Sequence, residues 1–185
     1  MQKGDVRTRM IEAAVRLLAV NGIEGTSFAD VLAATNASRG SVYHHFPKGK
    51  SELLHAALDL SSERGLAYME EVRGRPAAIV AGRFLDLWRE LLDRTHLSAG
   101  CAVLAVAVAA NEPELREHAG TIFRAWTELL TDLLVAGGMK QVAAGQLAAT
   151  LVAASEGAVA LSRAQKSREP FDRVAATLLR FAKDN

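Results

Sequence analysis

Apolar residues recur every three or four positions along most of the chain, which is the pattern of amphipathic helices. The first such run holds Met10, Ile11, Ala14 and Leu18, and Asn21-Gly22 predicts its end, because glycine readily adopts a left-handed conformation. Further helices are predicted at about 28–35, 38–46, 50–72, 99–110, 113–136, 141–165 and 170–183, with another beginning at Pro76. No strand alternation is evident, so the predicted fold class is all-α.

Two short helices follow the first one and are joined by a tight turn. Thr26 and Ser27 offer hydroxyls that can cap the second helix, and Asp30 stands three residues after Ser27, as in a capping box. Ser38 is placed to cap the third helix, and Pro47 ends it. Three helices of this order, two of them short, are typical of a helix-turn-helix unit.

The third helix has an unusual outward face. With Val42 and Phe46 toward the core, the opposite side and its flanks carry Gly40, Ser41, Tyr43 and His44. A helix face that is merely solvated favours Lys and Glu, whereas hydroxyls, an imidazole, a phenol and a bare glycine suit a helix in a DNA major groove. Gly40 permits close approach of the backbone, and Arg39 at the helix start can reach a guanine edge or a phosphate.

Groups that can bind phosphate flank this helix. Lys48 and Lys50 follow it directly, and the hydroxyls of Thr26 and Ser27 lie at the start of the second helix, whose backbone N–H groups attract anions. The sequence does not decide whether Lys48 or Lys50 makes the main phosphate contact.

Composition adds little to this picture. Of 185 residues, half are apolar and 23% are charged, as in an ordinary globular protein. Residues 1–55 hold seven Lys/Arg against five Asp/Glu, a net of +2, and the remainder holds fifteen against sixteen. A single cysteine excludes an internal disulfide and favours a cytoplasmic location. The first residues do not resemble a signal peptide, and no membrane partner is expected.

Other classes of function find little support. Cys101 with His96 or His118 lacks an orienting third group, so no enzyme is predicted. His44 and His45 are adjacent and face different ways on a helix, and no cluster has the spacing of metal ligands. No metal and no cofactor are therefore expected.

Residues 6–58 closely resemble the TetR family of bacterial repressors. The segment reads in order Gly-x-x-x-Thr-Ser-Phe from Gly22, Ala-Ser-Arg-Gly from Ala37, Tyr-His-His-Phe-Pro from Tyr43, then Lys50 and Leu53-Leu54. The turn Pro47-Lys48-Gly49-Lys50 is one residue longer than the commonest family form and resembles the LmrA/YxaF-like branch. Carried over by position, the resemblance implies DNA contacts from Thr26, Ser27, Arg39, Ser41, Tyr43, His44 and Lys50.

The resemblance implies a cytoplasmic transcriptional repressor of two domains. Residues 1–50 form the helix-turn-helix DNA-binding domain, and residues 51–185 form a larger helical domain for effector binding and dimerisation. The expected partners are double-stranded operator DNA with a near-palindromic sequence, a second copy of the chain, and a small, largely apolar effector that releases the DNA. The alternative is an effector-independent or architectural DNA-binding protein.

The last two predicted helices carry a broad face of small and apolar residues, which suits a four-helix bundle between two subunits. The predicted dimer residues are Leu147, Leu151, Ala154, Ser155, Ala158, Phe171, Val174 and Leu178. The alternative is that this face packs against its own domain.

The middle helices are expected to enclose the effector. The candidate pocket residues are Phe84, Trp88, Leu91, His96, Cys101, Leu104, Asn111, Phe123 and Trp126. Each of these also has an ordinary alternative as a core or surface residue.

Overall fold

The computed structural model describes residues 6–184, and every element in that range is an α-helix. Residues 1–5, at the start of the predicted DNA-binding domain, and residue 185 lie outside it. The helices are α1 (Val6–Asn21), α2 (Phe28–Thr35), α3 (Arg39–His45), α4 (Lys50–Glu70), α5 (Ala77–Arg94), α6 (Ala102–Ala109), α7 (Pro113–Ala136), α8 (Gln141–Gln165) and α9 (Glu169–Asp184). The all-α prediction is confirmed.

Local signals set the first three helices. Gly22 ends α1 with a φ of +70°, and Asn36 ends α2 with a φ of +52°, the left-handed conformation that terminates helices. Ser27 caps α2 through both bonds of a capping box with Asp30. The capping box inferred from the sequence is therefore confirmed. Ser38 occupies the N-cap of α3 but makes no side-chain capping bond.

The chain packs as two compact units. Unit 1 comprises the described residues up to Glu63 together with Cys101–Thr121, and unit 2 comprises Arg64–Gly100 and the described residues from Ile122 onward. Helices α4 and α7 each contribute residues to both units. This grouping concerns packing, so the functional division after residue 50 stays a prediction.

The core of unit 1 fixes the orientation of α3. Helix α1 contacts α2, α3 and α6, and α2 contacts α3. Met10, Leu18, Val31, Val42 and Phe46 are each 1% exposed or less. Burying a side chain of this size contributes about 1.5–3 kcal/mol, so rotating α3 would forfeit the burial of both Val42 and Phe46.

Unit 2 is built on the mutual packing of α5, α8 and α9. Phe171 on α9 is completely buried, and its backbone N–H donates to the hydroxyl of Ser162 on α8 at 3.1 Å. Arg168, just before α9, donates to both carboxylate oxygens of Asp93 at 2.7 Å. Hydrogen bonds to Asp93 and then Asp172 raise the pKa of Arg168 above its ordinary value. The turn between α8 and α9 is thereby tied to the end of α5.

Helix α8 is apolar enough to resemble a membrane span. By length and composition it is the one helix within residues 6–184 that could cross a bilayer, yet half of its most apolar window is buried inside the protein. A core helix of a soluble protein has the same properties. The burial of Leu147, Leu151 and Val159 gives α8 that role here.

Replacing each of two glycines of unit 2 by alanine should have opposite effects on stability. A Cβ at Gly65, inside α4, would meet the Trp126 ring at 3.9 Å, an ordinary contact, so Gly65→Ala should stabilise the protein by about 0.5–1 kcal/mol through reduced backbone entropy. A Cβ at Gly137 would lie 2.5 Å from the carbonyl oxygen of Arg75 and 2.9 Å from the amide nitrogen of Ala77, so Gly137→Ala should destabilise it. Thermal unfolding of both variants checks this, and equal melting temperatures would contradict it.

Candidate DNA-binding site

The outward face of α3 carries the predicted reading residues. Arg39, Gly40 and His44 are exposed, Tyr43 is 60% exposed, and Ser41 is half-buried. The opposite face is buried, so the orientation inferred from the helical wheel is confirmed. These residues therefore lie on the accessible side of one short helix.

Tyr43 is braced without being covered. Its ring meets Phe28 on α2 edge to face, with the ring centroids 5.8 Å apart. Such aromatic pairs add about 0.5–1.5 kcal/mol beyond simple burial. Phe28 therefore holds the ring of Tyr43 in place while most of the phenol stays accessible, a supporting role that the sequence pattern does not reveal.

Gly40 is not required by packing inside the protein. A Cβ built on it would meet no heavy atom within 4 Å, and its φ lies outside the left-handed region. Glycine inside a helix is less stable than alanine by about 0.5–1 kcal/mol. Its presence on the exposed face fits a surface that another molecule approaches closely.

Ser27 and Asp30 organise the start of α2. The Ser27 hydroxyl donates to Asp30 Oδ2 at 2.5 Å, and the backbone N–H of Ser27 donates to the same oxygen at 2.8 Å. These bonds from Ser27, the side-chain bond first, hold the pKa of the Asp30 carboxyl below its ordinary value. Ser27 is half-buried, so part of it stays accessible to a phosphate.

The structure corrects the expectation for Thr26. This residue is 1% exposed, and its hydroxyl donates to the carbonyl oxygen of Gly22 at 2.7 Å. The turn between α1 and α2 uses the hydroxyl to satisfy a carbonyl at the end of α1, a need that the family pattern alone does not reveal. Thr26 thus supports the turn from inside instead of facing DNA.

The two candidate lysines differ in their surroundings. The Lys50 ammonium donates to the carbonyl oxygen of Ile23 at 2.8 Å, in a half-buried position. Lys48 is exposed, and its backbone N–H donates to the carboxylate of Glu52 at 3.0 Å.

The predicted effector residues are divided between the two units. Cys101, Leu104 and Asn111 belong to unit 1, where Cys101 caps α6 and Asn111 is exposed. The others belong to unit 2: Phe84, Trp88, Leu91, His96, Phe123 and Trp126.

Within unit 2 the aromatic candidates form two pairs. Phe84 and Trp88 lie edge to face at 6.3 Å, and Phe123 and Trp126 do so at 5.6 Å. The indole N–H groups of Trp88 and Trp126 are buried and find no hydrogen-bond acceptor among the described residues. His96 is exposed in the loop after α5, with a φ of +49°, so nothing places it beside these rings.

Most of the predicted dimer residues are buried within one protomer. Six of them are at most 6% exposed: Leu147, Leu151, Ser155, Ala158, Phe171 and Leu178. Ala154 and Val174 are half-buried. A side chain covered by its own unit has almost no area left to give to a partner, so this face packs inward.

The opposite face of α8 is exposed and was not identified from the sequence. We call it the open face; it consists of Val142, Gln146, Ala149, Thr150, Ala153, Gly157, Ala160, Leu161 and Ala164. Val142 is 74% and Leu161 is 52% exposed, and Phe181 on α9 is 45% exposed. Small and apolar residues occupy both faces of α8, so composition could not tell the buried face from the open one.

Two family models cover most of the chain. Residues 10–57 match the model described as bacterial regulatory proteins of the tetR family. Residues 76–177 match the model for the C-terminal domain of LmrA/YxaF-like transcriptional regulators. The chain belongs to the TetR family of transcriptional regulators. The proposed likeness to the LmrA/YxaF-like branch is confirmed.

Curated relatives and solved structures agree with this assignment. An HTH-type transcriptional regulator of Mycobacterium tuberculosis strain H37Rv is 33% identical over 91% of this chain and 89% of its own. LmrA of Bacillus subtilis is 27% identical over 92% and 93%. The crystal structure of a TetR regulator from Chloroflexus aurantiacus superposes with a TM-score of 0.78 at 28% identity, covering 95% of this chain and 93% of that one.

Membership of the TetR family settles the broad function. The chain is a DNA-binding regulator of transcription with a helix-turn-helix, and proteins of this type are not enzymes. Within residues 6–184, no three His, Cys, Asp or Glu side chains lie close enough together to hold a metal ion.

The capping box of α2 predicts an acid-dependent contribution to stability. Because the pKa of Asp30 is lowered on folding, its stabilising effect is complete above the ordinary value of 3.8 and is lost as the pH falls through the lower, folded pKa. Asp30→Asn should therefore be less stable than the wild type at neutral pH, and the difference should shrink below pH 3.8. Ser27→Ala should cost about 1 kcal/mol through loss of the cap.

Urea unfolding at several pH values measures both effects. Glu24→Gln, which removes a carboxylate from an exposed position in the turn between α1 and α2, is the matched control. A stability difference for Asp30→Asn that did not change with pH would contradict the role given to the carboxylate.

Proposed function

We propose that this TetR-family regulator is a repressor that binds a near-palindromic operator as a homodimer and releases it on binding a small, largely apolar ligand. The observation that carries the proposal is the outward face of α3, where Arg39, Tyr43 and His44 are exposed around an unobstructed glycine. Such a helix can enter a major groove, which is the place where protein side chains distinguish all four base pairs.

Dimerisation follows from how little a single reading helix can distinguish. Each good base contact contributes about 1–3 kcal/mol, so useful specificity against a genome requires two half-sites, about 34 Å apart on one side of the duplex. We place the interface on the open face of α8 and on the exposed part of α9 that includes Phe181. Alanines and a glycine along α8 would let two such helices approach closely in a four-helix bundle.

The proposed ligand binds among the aromatic residues of unit 2. A buried N–H without an acceptor costs about 1–3 kcal/mol, and both Trp88 and Trp126 have one. A largely apolar ligand that carries a hydrogen-bond acceptor, such as a carbonyl or ether oxygen, would satisfy an indole and pack against Phe84 or Phe123. This requirement favours a neutral or anionic ligand over a cation.

Helix α4 is the proposed link between ligand and DNA. It is one uninterrupted helix of 21 residues that contributes to both units. A ligand that prefers one placement of α4 and an operator that prefers another must weaken each other's binding by the same factor. Their mutual antagonism is the thermodynamic basis of the proposed release in the cytoplasm.

Substitutions on α3 test the reading surface. Arg39→Ala and Tyr43→Ala should each weaken operator binding by about tenfold or more, because each removes a contact worth about 1–3 kcal/mol. Fluorescence anisotropy with a palindrome from the gene's own upstream region measures the affinity. Arg94→Ala removes the same charge from an exposed site in unit 2 and is the control.

Full binding by both α3 variants would contradict the reading role. Repeating the titration with neutral aromatic carbonyl compounds tests ligand-induced release, because only a ligand-responsive regulator should dissociate from the operator at saturating ligand. Salt-dependent binding to every duplex, without sequence preference, would instead indicate an architectural protein.

A charge on the open face should separate the subunits. Ala153→Arg places a guanidinium in the middle of the proposed helix contact, where no acidic residue of the open face can pair with it, so the protein should become monomeric and lose high-affinity operator binding. Ala136→Arg introduces the same side chain at an exposed alanine at the end of α7 and should leave the dimer intact. Sedimentation equilibrium distinguishes the two, and a dimeric Ala153→Arg would exclude this face as the interface.

A further inference from the structure

We infer that Lys50 is a positioning residue that fastens the start of α4 to the turn between α1 and α2, and that Lys48 is the lysine that meets the DNA phosphate. The inference rests on the proposed operator binding for the role of Lys48. It departs from the expectation for Lys50 drawn from the family pattern. We call the bond from the Lys50 ammonium to the Ile23 carbonyl the α4 latch.

The latch joins distant parts of the chain at an oxygen that already has a role. The Lys50 ammonium lies 2.8 Å from the Ile23 carbonyl oxygen, across 27 residues of sequence. The same oxygen accepts the backbone N–H of Thr26 at 3.1 Å, the bond that closes the turn. Both residues of the latch are half-buried, which partly shields the bond from solvent.

Helix electrostatics explain why Lys50 turns toward this carbonyl. Lys50 is the first residue of α4, where the positive end of the helix disfavours a cation. The carbonyl groups that follow α1 carry the opposite partial charge. Bonds from Ser27 do most to lower the pKa of Asp30, and the nearby charge of Lys50 lowers it further. The ammonium thus meets a carbonyl at the end of another helix instead of standing over the positive end of its own.

Lys48 has the properties of a surface contact. Its main chain is held, because its N–H donates to Glu52 at 3.0 Å, while its side chain is exposed. A fixed backbone and a free-standing ammonium just after the reading helix suit a phosphate contact, which positions a protein on DNA without reading sequence.

The latch also connects the start of α4 to α3 through the turn and α2. The turn that it grips leads through Ser27 into α2, and α2 packs against α3. A displacement of the first residue of α4 would therefore act on the helix pair that meets DNA. Loss of the latch should disturb sequence-specific binding more than binding to an arbitrary duplex.

A matched pair of substitutions separates the two roles. Lys48→Met and Lys50→Met each remove one ammonium group and keep an unbranched side chain of nearly the same length. Operator affinity is measured against salt concentration for the full-length protein, since each phosphate contact contributes about 0.9 to the slope of log affinity against log salt. Lys48→Met should reduce the slope by about 0.9 per subunit and weaken all duplexes equally. Lys50→Met should leave the slope unchanged and reduce the preference for operator over an unrelated duplex.

Hydrogen exchange tests the latch without any DNA. In Lys50→Met the amide of Thr26 should exchange faster than in the wild type, and in Lys48→Met it should not. The inference would be overturned if Lys50→Met lost as much salt slope as Lys48→Met, or if the Thr26 amide exchanged at the wild-type rate in Lys50→Met. A wild-type salt slope in Lys48→Met would also overturn it. If Lys50→Met does not fold, the salt slope of Lys48→Met still decides whether Lys48 is the lysine that meets the phosphate. If the wild type binds no operator, the proposed function fails, and the exchange measurement alone decides the latch.

Discussion

The burial of Val42 and Phe46 is the constraint on which the proposed DNA-binding surface depends. Both side chains are completely enclosed within unit 1, so α3 has one orientation that keeps them out of water. That orientation leaves Arg39, Gly40 and His44 outside. The proposed DNA-binding surface therefore consists of the residues that the core leaves exposed, and substitutions on it do not disturb the packing that holds the helix in place.

Much of the fold could be predicted because its signals are local. The left-handed glycine after α1, the capping box at Ser27 and the proline after α3 act on residues within a few positions of themselves. The periodicity of apolar residues then gives each helix its inward face, and on α3 this was enough to predict which residues are exposed. The family pattern added the function, which periodicity alone does not contain.

The features that the sequence did not predict depend on contacts between residues far apart in the chain, or on helices whose two faces carry the same types of residue. The bond of Lys50 spans 27 residues, so no local pattern distinguishes it from the exposed Lys48. In the sequence Thr26 has the position of an exposed helix cap, but in the folded turn its hydroxyl is buried and bonds to the carbonyl oxygen of Gly22. On α8, alanine and glycine occur on every side, and only the packing of α5 and α9 shows which side is buried. The expected pocket stays a proposal, since its residues fall in both units.

The empty surroundings of Gly40 bear on how regulators of this type could diverge. Since an added Cβ would meet no heavy atom within 4 Å, an alanine at this position leaves the hydrophobic core untouched and raises helix propensity. If α3 enters the major groove as proposed, mutation at this single position would change the surface offered to DNA while folding is preserved. A duplicated gene could acquire new target promoters along such a path without first passing through an unstable intermediate.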